Sequence, residues 1–118
     1  MELNFVASRG PEKASSSILR RQKLVRRIDQ QIKFVRDMIG GEVRRGSWVW
    51  MDQQGTYFVP IKYGRFPLEL KKGMFSVQCK DLDECEHVFC TFRTMILAGE
   101  LDDHLTKAST EIRKKFGK

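Results

Sequence analysis

SILRRQKLVRRIDQQIKFVRDMI, residues 17–39, is the longest strongly periodic run in the chain. Ile18, Val25, Ile28, Ile32, Val35 and Ile39 recur at spacings of seven, three, four, three and four. That sequence of gaps marks one stripe of a helix turning every ~3.6 residues. Leu24, Phe34 and Met38 widen the stripe. Away from it stand Arg20, Lys23, Arg26, Arg27, Lys33 and Arg36, with Arg21 inside the seam and only Asp29 and Asp37 in opposition. At a rise of ~1.5 Å per residue the helix is roughly 33 Å long, so the rest of a small domain must pack against it. A serine among Ser15, Ser16 and Ser17 is expected to cap its start. Gly40–Gly41 is expected to end it, since glycine takes the left-handed conformation without a side-chain penalty.

Beyond the helix the period changes from 3.6 to 2. Trp48-Val49-Trp50-Met51 and the run Thr56 to Tyr63 are rich in β-branched and aromatic residues, and Asp52-Gln53-Gln54-Gly55 supplies turn chemistry between them, which reads as a hairpin. Pro60 has no N–H to give a ladder, so an edge position or a bulge is expected for it. Pro67 to Leu70 and Met74 to Cys79, joined through Lys71-Lys72-Gly73, read as a second hairpin. The helical period returns at Asp81, a cap with Glu84 three residues on. Leu82, Cys85, Val88, Phe89, Phe92, Met95 and Ile96 form its apolar face. Gly99 breaks the run, and Leu101, Leu105, Ala108, Ile112 and Phe116 mark a last amphipathic helix. Residues 1–15 are expected to be loosely ordered, with at most a short strand around Leu3, Phe5 and Val6.

Helices and strands are thus segregated along the chain, which predicts an α+β fold in a single domain, residues 1–118. It consists of a long N-terminal amphipathic helix, an antiparallel meander of three or four strands, and two C-terminal helices packed on the sheet. The outer sheet face is left open or covered by a second subunit. The stripe from Ile18 to Ile39 spans three heptads and equally suits a homodimer seam.

A hydrophobic fraction of 41% over 118 residues supports a real core and excludes a disordered chain. The net charge is +7, and it is unevenly spread. Residues 1–46 hold eleven Lys/Arg against five Asp/Glu, residues 47–80 five against two, and residues 81–118 six against eight. A basic front half points to a nucleic acid or an acidic protein as partner. No run approaches the ~20 apolar residues of a membrane span. The start of the chain carries no signal-peptide pattern. Three cysteines, an odd number, fit free thiols in a reducing compartment. A cytoplasmic protein of bacterial or phage origin is expected.

Several segments together carry a resemblance: RRQKLVRRIDQQI at 20–32, KYG at 62–64, PLELKKG at 67–73, LDE at 82–84 and LAGELDDHL at 97–105. On these the chain resembles a family of small uncharacterised proteobacterial proteins, often encoded in integrated mobile elements, over roughly residues 20 to 116. The resemblance implies a non-enzymatic accessory role and no site residues.

The residues that suggest chemistry are few. Cys79, Cys85, His87 and Cys90 invite a zinc reading, but Cys85 and His87 are two apart on a helix and point about 200° apart. They cannot both reach one ion without breaking that helix. His87 and Cys90 share a face, yet no orienting third group or oxyanion hole accompanies them. P-loop, dinucleotide and metalloprotease motifs are missing. No catalytic residue, metal or cofactor is therefore expected. The basic helix is the leading candidate, with Arg20, Lys23, Arg26, Arg27, Lys33 and Arg36 able to neutralise phosphates. The aromatic set of Trp48, Trp50, Tyr57, Phe58, Tyr63 and Phe66 comes second. Trp48 and Trp50 are expected to share a strand face, where they could stack unpaired bases. The sequence thus points to a small basic binding protein for nucleic acid or a nucleic-acid-handling partner. The alternative is an accessory factor or inhibitor docking an acidic protein.

Overall fold

The computed structural model describes residues 2–5 and 15–116. Most of the N-terminal segment expected to be loose lies outside the described residues. Residues 2–5 form no strand. The first helix, α1, runs Ser16–Ile39 without interruption. Ser15 caps it, its hydroxyl accepting from the Ile18 N–H at 3.2 Å. Gly41, at φ +95°, closes the other end while its N–H and those of Gly40 and Glu42 satisfy carbonyls of the last turns.

Five short strands follow: β1 Trp50–Met51, β2 Tyr57–Pro60, β3 Lys62–Tyr63, β4 Phe66–Pro67 and β5 Ser76–Cys79. Then come α2, Leu82–Leu97, and α3, Asp102–Phe116. All strand pairs are antiparallel, and the fold is α+β with one long leading helix and two closing ones. The first hairpin forms as expected around Asp52, whose carboxylate accepts from the N–H of Gln54 and of Thr56, both at 2.9 Å.

The second hairpin closes only at its turn, where the Leu70 N–H donates to the Met74 carbonyl at 2.8 Å, and its arms do not pair further. β5 pairs with β2, Tyr57 opposite Cys79 and Val59 opposite Val77, to give a three-stranded sheet in the order β1-β2-β5. β3 and β4 make a separate two-stranded ribbon, and Lys71–Met74 is an isolated bridge. The segment from Pro67 to Leu70 thus belongs to a different pairing from Ser76–Cys79. Local alternation cannot reveal this, because β5 finds its partner across the whole β3–β4 excursion. Pro60 closes the central strand beyond the reach of β1, whose pairing ends at Trp50–Phe58. Its missing N–H disrupts no ladder there.

The core lies between α1, α2 and the inner sheet face. Leu24, Val25, Ile28, Ile32 and Val35 of α1 are buried with Cys85, Phe89 and Ile96 of α2 and with Val59, Ile61 and Cys79. The partner of α1 is chiefly α2, which in turn covers β2 and β5; α3 packs on α1 and β3. The stripe is therefore consumed inside the chain rather than offered as a dimer seam. Only its ends, Ile18 and Ile39, remain exposed.

Among the described residues, one polar residue within the stripe, Gln31, is fully buried. Its Oε1 accepts from the Trp48 N–H at 2.7 Å and its Nε2 donates to the Gly46 carbonyl at 3.0 Å. Those two backbone groups lie in the connection from α1 to the sheet, where the N–H of buried Trp48 would otherwise be left unpaired. Gly99 makes the last turn, between α2 and α3, at φ +82°. A Cβ there would lie 2.8 Å from Arg21 Nη2, so the glycine leaves room for Arg21 to grip Asp102 at the start of α3.

Candidate functional site

The side chains of α1 that face away from the core have unequal fates. Arg36 Nε lies 3.2 Å from Glu86 of α2. Arg20 donates to the Thr106 hydroxyl of α3 at 3.3 Å. Arg21 binds Asp102 through both ends of its guanidinium, and those hydrogen bonds hold the Asp102 carboxyl below its ordinary range. The two acids of α1 are engaged from outside the helix, Asp29 by Arg93 at 2.7 Å and Asp37 by Arg44 at 2.7 Å. Among the described residues, Lys23, Arg26, Arg27 and Lys33 join no ion pair, and all four are exposed.

Two of these free cations meet two more that sequence reasoning did not single out. Lys23 and Arg27 of α1 and Lys62 and Arg65 of the β3–β4 ribbon line one cleft of about 280 Å³, floored by Leu24, Tyr63 and Gly64. No carboxylate is among those lining residues. Lys23 is placed there by its ammonium, 5.0 Å above the Tyr63 ring, a cation–π contact. Gly64, at φ +65°, allows the two-residue turn that brings Arg65 back beside α1. In sequence, Lys62 and Arg65 are ordinary charges flanking a tight turn. Only the docking of the ribbon on the helix makes them part of a site.

The aromatic expectation is divided by the structure. Trp48 precedes β1 and is buried, packed on Phe89 with ring centroids 6.2 Å apart. It is a core residue and no part of a binding surface. The strand begins only at Trp50, so strand alternation does not extend back to residue 48. Trp50 is 51% exposed and stacks on Phe58, centroids 4.3 Å apart and planes 18° from parallel. These two face each other across the β1–β2 pairing on the outer sheet face.

A second concavity, of about 560 Å³, lies between α3 and residues 66–75. Its floor is apolar, with Leu68, Leu70, Phe75 and Ala108, and its rim carries both signs of charge. Lys107 Nζ stands 3.9 Å from Glu69, and the His104 Nδ1 has no hydrogen-bond partner among the described residues.

Nothing gathers the cysteines with His87. Cys79 and Cys85 are buried in the core, whereas His87 and Cys90 are exposed on α2. Burial, with Cys79 as neighbour, pushes the Cys85 thiol up to about 12, far from the thiolate needed for attack or ligation. Among the described residues no group of three or more His, Cys, Asp or Glu could hold a metal ion, and no helix is long and apolar enough to cross a membrane. The chain matches no protein-family model, no curated protein and no solved structure.

Proposed function

We propose that the protein is a small non-enzymatic nucleic-acid-binding protein that takes phosphates in the cleft between α1 and the β3–β4 ribbon. One observation carries the reading: Lys23, Arg27, Lys62 and Arg65, from two separate elements, converge on a cleft lined by no carboxylate. Cations paired with acids in the folded state offer little to a ligand, and these four are not so paired among the described residues. Arg26 and Lys33 extend the positive surface along α1, while Arg20 and Arg36 are partly committed to α3 and α2. Phosphate contacts of this kind position a protein on nucleic acid and do not read its sequence.

Fluorescence anisotropy with labelled duplex and single-stranded DNA and RNA, at low and moderate salt, tests it. Wild-type protein is expected to bind at low salt with a log–log salt slope of ~0.7–0.9 per neutralised phosphate. Replacing the four cleft cations by Ala flattens that slope and weakens binding without a change of fold. Absence of binding at micromolar concentration and low salt removes the reading. Docking of an acidic protein on the same cations is the alternative, and the apolar groove beside α3 favours a protein partner as well. Competition separates the two: unrelated oligonucleotides displace the bound partner of a nucleic-acid-binding protein and leave a specific acidic protein partner in place.

A further inference from the structure

We propose that Trp50 and Phe58 form a base-stacking platform, making the ligand a single strand rather than a duplex. The inference rests on the cationic cleft as the phosphate site and adds the nucleic-acid form that the outer sheet face selects.

An exposed tryptophan stacked flat on a phenylalanine is a planar apolar surface, and an unpaired base stacked on it would remove that surface from water. Trp50, Phe58 and Gln78 form one cross-strand row, since Trp50 pairs with Phe58 and Phe58 with Gln78. Lys62, which lines the cleft, stands four residues after Phe58 along the chain. Four steps of extended chain span at most ~13 Å, a distance of a few nucleotides. At the other end Lys80, exposed, directly follows β5, two residues after Gln78. Asp52, the carboxylate of the adjoining turn, is occupied by backbone N–H groups. Cations thus stand within a few residues of the ring-bearing row along both β2 and β5. A single strand presents phosphates to the cations and unpaired bases to the rings, whereas a duplex keeps its bases stacked inside and offers the platform nothing.

The two tryptophans make the test direct, because Trp48 is buried against Phe89 and Trp50 faces solvent. Intrinsic fluorescence and acrylamide quenching are followed while an oligothymidine, an oligoadenosine or a duplex is titrated into the full chain. The expected result is quenching and acrylamide protection of Trp50 by both single strands, saturating at the affinity that anisotropy reports. Trp50→Leu is expected to weaken single-strand binding about five- to a hundredfold and leave duplex binding unchanged. Trp50→Phe keeps most of the single-strand affinity while losing the fluorescence change, which a purely structural role for the indole would not produce. Trp48→Phe leaves Trp50 as the sole reporter without touching the platform. Unchanged Trp50 emission at saturation, with binding still abolished by the four cleft substitutions, overturns the platform and leaves the cleft reading standing. Failure of every oligonucleotide to bind overturns both.

Discussion

The side-chain amide of Gln31 closes over the backbone of Trp48, accepting its N–H at 2.7 Å from a position with no solvent exposure. The same amide donates to the Gly46 carbonyl. One side chain thereby fixes how the chain leaves α1 and enters the sheet. Gln31→Met, similar in volume, strands the buried Trp48 N–H and removes the partner of the Gly46 carbonyl, which belongs to an exposed residue. A loss of about 1–3 kcal/mol per unsatisfied group is expected, read as a lower urea midpoint with unchanged m-value. A midpoint equal to wild type would mean that water or a backbone shift replaces the amide.

Ile28 and Ile18 belong to the same stripe, but one is fully buried and the other 42% exposed. Ile28→Ala is expected to cost about 2–5 kcal/mol and Ile18→Ala no more than ~0.5 kcal/mol. Equal thermal shifts for the two would contradict the placement of the core.

Asp102 has its carboxyl lowered chiefly by the hydrogen bonds from Arg21. A carboxyl with a lowered folded-state pKa contributes stability that is present above its unfolded value, ~3.9. That stability is lost as pH falls through the folded value. The acid limb of the stability curve should therefore be shallower in Asp102→Asn than in wild type, with the difference confined to the region around and below pH ~4. Parallel acid limbs in the two proteins would refute the coupling.

Gly99 is constrained twice, by φ +82° and by Arg21 Nη2 lying 2.8 Å from where a Cβ would stand. Gly99→Ala is expected to destabilise by about 1–3 kcal/mol from backbone strain. In an Arg21→Ala background the clash is absent and only the backbone part remains, so the glycine substitution costs less there. A double-mutant cycle by chemical denaturation measures the difference.

Cys79 and Cys85 are buried and Cys90 is exposed. In the native protein a thiol reagent such as Ellman's should titrate one thiol rapidly and the other two only on unfolding. Cys90→Ser should abolish the rapid phase and leave the thermal midpoint nearly unchanged.

The parts legible in the sequence were those written in local period. The stripe of α1, the Asp52 turn, the Asp81 cap and the break at Gly99 all follow from spacing and side-chain chemistry within a few residues. What escaped depended on contacts between distant segments. β5 pairs across the β3–β4 ribbon with β2, and Trp48 is drawn into the core because α2 places Phe89 beneath it. Half of the cationic cleft, Lys62 and Arg65, acquires its meaning only when the ribbon docks on α1. Gln31 is the instructive miss. It stands three residues after Ile28 and four before Val35, in phase with the buried stripe. A polar side chain at such a phase is itself the signal that a buried backbone group needs a partner.

The sheet that carries the exposed rings has margins of only two residues in β1 and four in β5. A long free margin is a template on which a neighbouring molecule can add its own strand, and short ones offer too few unpaired amides and carbonyls to hold it. Brevity at the margins therefore lets the molecule display an oily, flat face to solvent while resisting edge-to-edge polymerisation. Lengthening β1 toward Trp48, which would set Trp48 opposite Pro60 and so needs that proline replaced, would weaken that protection and favour edge-to-edge association.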